Sequence, residues 1–261
     1  MDSFFKNKIN VLRKFKTRSN LFRKPFPYIV IPNALPLETY EKLYENYPHQ
    51  RINSSCKLVE GHTYRYFADD LLNKPKFETT SLWNEFFEFH TSQDFYNHIL
   101  NIFEQWLGTN NWIQKEKIRV RGTEGTTKMV TDTQFVVHKP TNITTRTTHI
   151  DNPLEIYAGL LYFRQRGDMS SGGDFIIYES DPVTQVYEKT GRQVLDTQKI
   201  KKVNTIKYAP NTFVMFLNSN KSVHGVTQRK KAGCDRLSVN IIAEIERHKE
   251  KPLFNYEEVK K

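Results

Sequence analysis

The chain has 261 residues, of which 38% are hydrophobic and 13% aromatic, and this is enough apolar material for one large folded domain or two small ones. The composition excludes a chain that is disordered as a whole. Lysine and arginine number 39 against 29 aspartate and glutamate residues, which gives a net charge of +10 and is compatible with an anionic partner, substrate or membrane surface.

Cysteine content and hydropathy indicate the compartment. Cys56 and Cys234 are too few for a disulfide framework and match no closely spaced zinc motif, which is typical of a reducing environment. No segment approaches the roughly 18 apolar residues of a transmembrane helix, and residues 1–24 lack the apolar core of a secretory signal. We therefore expect a soluble, intracellular protein of the cytoplasm.

Residues 1–26 are predicted to form a basic N-terminal helix or arm. Basic residues are scattered through the segment, and apolar residues recur among them at helical spacing, namely Phe5, Ile9, Leu12 and Phe15. The apolar stripe could pack on the main domain and leave the lysines in water, which is the usual state of a charge run. The alternative is a contact of the basic face with phosphates or lipid headgroups, which would give peripheral membrane contact.

The next part of the chain is predicted to be mainly helical. A short β-branched run between prolines, at 27–32, predicts an edge strand before the helices begin. Apolar residues three and four apart predict a helix over 37–47. Residues 81–107 are rich in aromatic side chains and contain a sequence typical of a capping box at 91–94. These helices are most simply supports for a core.

After Gly108 the pattern changes to short apolar runs separated by Gly, Pro, Asn and Asp. Many short strands with turn residues between them predict a β-sandwich, jelly roll or barrel. The predicted strands cover 117–121, 133–139, 155–163, 174–179, 203–208, 212–217 and 235–245. The hydrophilic stretch 188–202 is predicted to be a hairpin or an excursion between strands. The fold class is therefore mainly β with flanking helices (α+β).

Two histidines stand in settings that suggest metal binding. His149 and Asp151 lie just before the predicted strand 155–163, and residues two apart in extended backbone point to the same side, so both side chains can reach one ion. His224 follows the apolar run 212–217. Two imidazoles and one carboxylate form the facial ligand set of non-haem Fe(II), with other positions open to a cosubstrate and O2. We predict these three as the metal ligands and catalytic residues.

A second polar group follows in the strand that begins at Arg236. Arg236, Ser238 and Asn240 share one face of this strand, and apolar residues occupy the other. In an ordinary surface sheet such a polar face would meet water. Beside a metal triad, the alternative is an interior arginine that pairs with a ligand carboxylate while the Ser238 hydroxyl supports it.

At these residues the sequence resembles the Fe(II)- and 2-oxoglutarate-dependent dioxygenase superfamily, in its prolyl-4-hydroxylase-like branch. The resemblance covers roughly residues 130–245. It rests on motifs that follow one another in the order of that family, namely His149-Ile150-Asp151, the turn Ser171-Gly172-Gly173-Asp174, the run 211–217, His224 and Arg236-x-Ser238.

The resemblance implies a double-stranded β-helix, a cupin-like jelly-roll barrel with iron at its open end. It implies one oxygenase domain over 27–246, with helical support at 35–110 and the jelly-roll core at 115–246. A charged C-terminal tail would then occupy 247–261.

It also implies cofactors and their contacts. Fe(II) would be held by His149, Asp151 and His224, with O2 and 2-oxoglutarate as cosubstrates. Arg236 would bind the distal carboxylate of 2-oxoglutarate with the help of Ser238. His138 falls near the place where prolyl-4-hydroxylase-like members have a tyrosine that contacts this carboxylate.

The reaction implied is hydroxylation of an unactivated C–H bond with release of succinate and CO2. The sequence departs from two branches of the superfamily. Prolyl 4-hydroxylases usually have lysine where this chain has Arg236, and the alkylated-nucleobase dioxygenases have a second arginine where this chain has Ile242. Nucleic acid is therefore not expected as a substrate. We expect a small molecule, a glycan or a protein side chain, and the basic charge balance favours an anionic one.

Two other functions remain open on the sequence. The first is a non-catalytic jelly-roll module that binds an anionic polymer, although such a module has no need of a facial triad beside an interior cation. The second is a cupin-like iron enzyme that does not use 2-oxoglutarate, and in that case replacing Arg236 would change little.

Overall fold

The computed structural model describes residues 7–59, 62–140, 148–182, 184–187, 193–196, 199–246 and 257–258. The helices are α1 (Thr17–Asn20), α2 (Leu37–Glu45), α3 (His49–Ser55), α4 (Ala68–Leu72), α5 (Ser81–His90) and α6 (Gln93–Leu107), followed by a 3₁₀ helix (Gly108–Lys115). The strands are β1 (Leu21–Phe22), β2 (Tyr28–Ile31), β3 (Leu58–Val59), β4 (Thr63–Tyr66), β5 (Ile118–Val120), β6 (Met129–His138), β7 (Glu155–Tyr162), β8 (Phe175–Ser180), β9 (Thr184–Tyr187), β10 (Gln193–Asp196), β11 (Ile200–Ile206), β12 (Phe213–Leu217), β13 (His224–Val226), β14 (Arg236–Ile245) and β15 (Glu257–Glu258).

The largest sheet has nine strands. Its order is β1-β2-β12-β7-β14-β6-β4-β3, with β5 added beside β6. All of its pairings are antiparallel except β5 with β6, which is parallel. A second, antiparallel sheet has the order β11-β8-β13, and a third joins β10, β9 and β15. The fold is thus mainly β with flanking helices and largely antiparallel sheets, as the sequence predicts.

The large sheet separates two apolar clusters. On one face, Trp83 and other side chains of α2, α5 and α6 pack against sheet residues such as Phe135 and Val239. On the other face, Phe216 and Ile242 of the large sheet pack with Phe175 of the second sheet. Period-2 alternation along β14 divides its residues between these faces, as predicted, because successive side chains of a strand point in opposite directions.

The predicted helices and strands are largely confirmed. α2 lies within the predicted 37–47, and each predicted strand after Gly108 overlaps an observed one. The segment 81–107 is two helices, because the Ser92 hydroxyl accepts a hydrogen bond from Phe95 N (3.3 Å) and begins a new helix there. In the hydrophilic stretch 188–202, β10 pairs antiparallel with β9, which lies just before the stretch, and the residues between them, 188–192, lie outside the described part of the chain.

Two predictions near the N-terminus are wrong. The strand of 27–32 is not at the edge of the sheet, because the two-residue β1 pairs outside it (Leu21 opposite Ile29). The basic amphipathic helix is not formed over the described residues 7–16, which form turns. Asn7 and Asn10 accept hydrogen bonds from backbone N–H groups two residues later (3.1 and 2.9 Å), and such local bonds compete with a helix.

The N-terminal segment nevertheless packs on the domain. Ile9, Val11 and Leu12 are buried in the helix-side core, which agrees with the first of the two interpretations of its apolar residues. Residues 1–6, and all of the predicted tail 247–261 except 257–258, lie outside the described part. Among the described helices, none has the length and apolar character to cross a bilayer.

The aromatic centre of the helix-side core supports a stability prediction. Trp83 is fully buried, its ring lies 4.5 Å from that of Phe135, and its indole N–H donates to Asn46 O (3.0 Å). We expect Trp83→Ala to lower the free energy of unfolding by about 3–5 kcal/mol, because it leaves a cavity and an unpaired carbonyl. Urea denaturation followed by far-UV circular dichroism measures this. Trp112→Ala, at a partly buried ring, is the control, and an equal loss in both variants would contradict the prediction.

Candidate metal centre

A pair of backbone hydrogen bonds brings the two predicted histidine ligands together. His149 N donates to His224 O and His224 N donates to His149 O, both at 2.9 Å. This bridge joins the segment before β7 to the start of β13. Asp151, two residues beyond His149, points to the same side, as expected for extended backbone.

The three side chains converge in a buried group. His149 Nε2 lies 3.4 Å from Asp151 Oδ1, and His224 Nε2 lies 3.6 Å from Asp151 Oδ2. One ligand atom from each residue lies within 4.8 Å of the others. The residues are only 4–5% exposed. His149, Asp151 and His224 could therefore hold one metal ion.

The hydrogen-bond partner of His224 fits this role. His224 Nδ1 lies 2.8 Å from the carbonyl oxygen of Ser222, and since a carbonyl can only accept, Nδ1 carries the proton. In the neutral imidazole this leaves the lone pair on Nε2, which is the atom that faces Asp151. A backbone carbonyl on the far nitrogen is the usual way in which proteins orient a metal-binding histidine. Two nitrogens and one carboxylate suit a first-row divalent ion.

Arg236 is a buried cation near this group. It begins β14 and is 1% exposed, and its Nε donates to Gly173 O (3.2 Å). The guanidinium lies 5.1 and 4.8 Å from the ring centroids of Tyr162 and Tyr208, and these two rings contact each other edge to face. Its Nη2 has no hydrogen-bond partner among the described residues. A buried guanidinium with an unsatisfied nitrogen favours an anionic ligand.

Gly173 allows this close approach. Its φ of 77° lies in the left-handed region, and a Cβ atom there would lie 3.5 Å from Arg236 Nε and 3.2 Å from Arg229 Cγ. A larger residue would therefore be strained by this φ and would crowd the Arg229 side chain, while its contact with Arg236 would be of ordinary length.

Tyr162 contacts Arg236 from behind the cavity lining, and the sequence analysis missed it. Its hydroxyl is buried and makes no hydrogen bond within 3.5 Å among the described residues, although it lies near enough to Arg236 for that side chain to lower its pKa. Burial raises the pKa of Tyr162 to about 12, although the charge of Arg236 opposes this shift, so the hydroxyl keeps its proton and can donate. Tyr162 lies opposite Ser238 in the sheet. Alternation along 155–163 could have identified its face, but not its partner on a distant strand.

One cavity of about 370 Å³ connects most of the predicted residues. His149, Asp151, His224, Arg236 and His138 all line it. His138 Nδ1 also lies 2.9 Å from Thr63 Oγ1.

Ser238 does not line this cavity. Its hydroxyl donates to Asn240 Oδ1 (3.3 Å), and its carbonyl accepts from the Tyr47 hydroxyl (2.8 Å). Asn240, on the same face of β14, lines the cavity instead.

A second polar region of the cavity was not predicted. It consists of Arg65, Arg121, Gln134 and Asn240, which line the cavity together and are called the arginine wall here. These residues come from β4, the end of β5, β6 and β14. The sequence gives no signal for this group, because its members meet only through strand pairing between distant segments.

The buried Asp132 supports the wall. Gln134 Nε2 donates to Asp132 Oδ2 (2.9 Å), Ala68 N donates to Oδ1 (3.0 Å), and Arg121 Nη1 lies 3.5 Å from Oδ2. Burial raises the pKa of Asp132 to about 6, against the opposing effects of these three groups.

The solved structures to which the chain is similar include oxygenases. A prolyl 4-hydroxylase from Phytophthora capsici is 16% identical with a TM-score of 0.48, and the match covers 93% of this chain and 65% of that one. A prolyl-4-hydroxylase from Pseudomonas putida is 12% identical (TM-score 0.44; 84% and 92% covered), and a 2OG-Fe(II) oxygenase family oxidoreductase from Burkholderia pseudomallei is 13% identical (0.36; 83% and 84%). No protein family model and no curated protein matches the chain. The assignment of function therefore rests on the geometry of the site.

The triad predicts how the protein binds a divalent ion. We expect His224→Ala to weaken Co(II) binding by at least roughly 100-fold, since even the loss of an outer partner of a ligand costs 10–100-fold. Titration followed by the Co(II) visible spectrum measures this, and binding should also weaken in acid as the histidines protonate. His98→Ala, on α6, is the control. Unchanged Co(II) affinity in His224→Ala would exclude the triad as the binding site.

Asp132 predicts a pH dependence of stability. Because its pKa in the folded state lies above the ordinary value of 3.8, the folded protein holds this proton more tightly than the unfolded chain. The free energy of unfolding should therefore fall as pH rises from about 4 through about 6, by an amount on the order of 3 kcal/mol. Asp132→Asn cannot ionise and should lose this decline.

Urea denaturation at several pH values between 4 and 7 measures the difference between the two proteins. Asp94→Asn, at an exposed carboxylate of α6, should keep the profile of the wild type. Parallel profiles for wild type and Asp132→Asn would show that Asp132 ionises equally readily in both states.

Proposed function

We propose that the protein is an Fe(II)- and 2-oxoglutarate-dependent dioxygenase that hydroxylates an unactivated C–H bond and releases succinate and CO2. One observation carries this proposal: a buried His149–Asp151–His224 group and a buried, incompletely satisfied Arg236 line the same cavity. The first can hold a metal ion, and the second needs an anion. A dicarboxylate that chelates the metal at one end satisfies both.

The fold is consistent with a jelly-roll barrel. Strands of the nine-stranded sheet and of the β11-β8-β13 sheet contribute to one apolar cluster, as in two sheets packed face to face. We propose that 27–246 is a single oxygenase domain of the double-stranded β-helix type, with its helices packed on the outer face of the large sheet.

The residues at the Arg236 end suit the distal carboxylate of 2-oxoglutarate. Arg236 Nη2 and the Tyr162 hydroxyl are both buried donors, and the Tyr208 ring packs against the same guanidinium. A carboxylate there would gain a charge-assisted hydrogen bond from each donor. His138 lines the cavity, so its contact with the cosubstrate is part of the proposal. Ser238 is assigned an indirect role, through Asn240.

The metal end suits chelation and oxidation. Iron with bound 2-oxoglutarate and O2 supplies an oxidant strong enough to take hydrogen from a C–H bond and return a hydroxyl group. The protein orients His224 through Ser222 and packs its ring against Phe216, with the ring centroids 4.5 Å apart. Phe175 and Val226 line the cavity beside it. These apolar side chains limit the access of water and therefore limit unproductive oxidation.

Arg236 favours this function over the two alternatives. A module that only binds a polymer would gain nothing from a buried triad and a buried cation in one cavity. An iron enzyme without 2-oxoglutarate would leave Arg236 Nη2 unsatisfied in its working state, and burying an unpaired charged donor costs several kcal/mol.

Anaerobic titration with Fe(II) and 2-oxoglutarate tests the proposal. We expect the weak visible charge-transfer band of the chelate in the wild type and its loss in His149→Ala. Arg236→Gln should raise the 2-oxoglutarate concentration at half-saturation by roughly 100-fold, which corresponds to about 3 kcal/mol for one partner of a buried charge pair. Tyr162→Phe should raise it by roughly 10-fold or more, as for the loss of one hydrogen bond to a charged group.

The controls separate cosubstrate binding from metal binding and folding. Arg236→Gln and Tyr162→Phe should bind Co(II) as tightly as the wild type. Arg166→Gln, which removes an exposed arginine paired with Glu41, should leave the titration unchanged. If the wild type shows no band and no metal-dependent binding of 2-oxoglutarate, the proposed function is wrong.

A further inference from the structure

The arginine wall stands apart from the groups that would hold the metal and the cosubstrate. We propose that it binds an oxyanion group of the substrate, a carboxylate or a phosphate, and thereby positions the C–H bond to be oxidised. This inference rests on the proposed function, because it takes the metal centre as the place of oxidation.

The register of the strands places the arginine wall further along β14 than Arg236. Along β14, Arg236 pairs with His138, whereas Asn240, four residues further on, pairs with Gln134. Arg65 comes from β4, which pairs with β6 on its other side, and Arg121 follows β5 with its backbone N–H bonded to Thr131 O (2.9 Å). A group bound here would therefore not compete for the contacts of Arg236.

A chain of hydrogen bonds and ion pairs holds the two arginines in place. Arg65 Nη1 donates to Gln134 Oε1 (2.8 Å), and Gln134 donates in turn to Asp132. Arg121 Nε lies 3.2 Å from Glu244 Oε1, and its guanidinium stacks over the Phe67 ring at 5.7 Å. Side chains that are already oriented lose less entropy when they bind a ligand.

The wall presents donors to the cavity. The Arg121 side chain is 41% exposed, and its ion pairs use Nε and Nη1 but not Nη2. Asn240 lines the cavity, and its Oδ1 accepts from Ser238, so its NH₂ group is the part of the amide that can donate to a ligand. Guanidinium and amide donors in one wall match the acceptor oxygens of a carboxylate or phosphate.

The nearby carboxylates limit where an anion can bind. Asp132 is buried behind the wall and Glu244 is mostly covered, so both orient Arg121 from behind. Glu155 lines the cavity as well, and its charge disfavours an anion on its own side. The part of a substrate that reaches toward the metal would instead meet Ile242, Phe216 and Val226, which are apolar.

Paramagnetic relaxation in the Mn(II)-loaded protein tests this proposal without turnover. The protein is saturated with Mn(II) and 2-oxoglutarate, and the ³¹P relaxation rate of inorganic phosphate and the ¹³C rate of labelled acetate are measured. We expect Mn(II) to enhance the relaxation of at least one of these anions in the wild type. Arg65→Gln and Arg121→Gln should each reduce the enhancement by threefold or more, and Arg166→Gln should not change it.

Each outcome has a separate meaning. A stronger effect on phosphate or on acetate supports the site and identifies the group it prefers. No enhancement in the wild type, or equal enhancement in the wild type and both wall variants, would overturn the proposal, since in the second case the anion sits on the metal itself. Water-proton relaxation, recorded before the anion is added, reports Mn(II) binding alone. If this measurement shows no Mn(II) binding, the proposed function is contradicted, and this inference with it.

Discussion

The burial of Arg236 is the constraint on which the site depends. A guanidinium removed from water is costly unless its donors and its charge are compensated. Gly173 O and two tyrosine rings compensate it only in part, since Nη2 stays unsatisfied among the described residues. The fold therefore holds a cation that an anionic ligand would stabilise further. A buried cation of this kind points to a ligand more strongly than the metal-binding residues alone, because metal ligands can also be explained as a structural site.

The two ends of the cavity are linked through the large sheet. Tyr162 ends β7 and lies opposite Ser238, whereas the ligands His149 and Asp151 lie just before the other end of the same strand. The length of β7 does not set the distance between the triad and Arg236, because His149 is held by its bridge to His224 of the second sheet. The packing of the two sheets therefore sets the distance between these groups, which line one cavity. A site built in this way selects a ligand by length, which is the property that distinguishes one dicarboxylate from another.

Sequence patterns identified the parts of this site that are local, and they missed the parts that depend on long-range pairing. The His149-x-Asp151 spacing and the alternation along β14 are visible in a few residues, so both could be predicted. The pairing of distant strands brings three further residues near the cavity, namely Tyr162, Arg65 and Arg121. A local sequence pattern does not show this pairing. The predicted N-terminal helix failed for a local reason instead, since Asn7 and Asn10 bond to the backbone and stabilise turns.

The different surroundings of Arg236 and Arg121 suit them to different ligands. Arg236 is enclosed by aromatic rings and is 1% exposed, so only a slender group that reaches deep into the cavity can satisfy it. Arg121 is 41% exposed and is oriented by carboxylates from behind. Arg121 can therefore bind a larger group without losing all of its contact with water. Each ion pair made there contributes less binding free energy than a buried one. Under the proposed function, Arg236 would bind the common cosubstrate tightly in the depth of the cavity, and the arginine wall would bind an oxyanion group of a variable substrate more weakly.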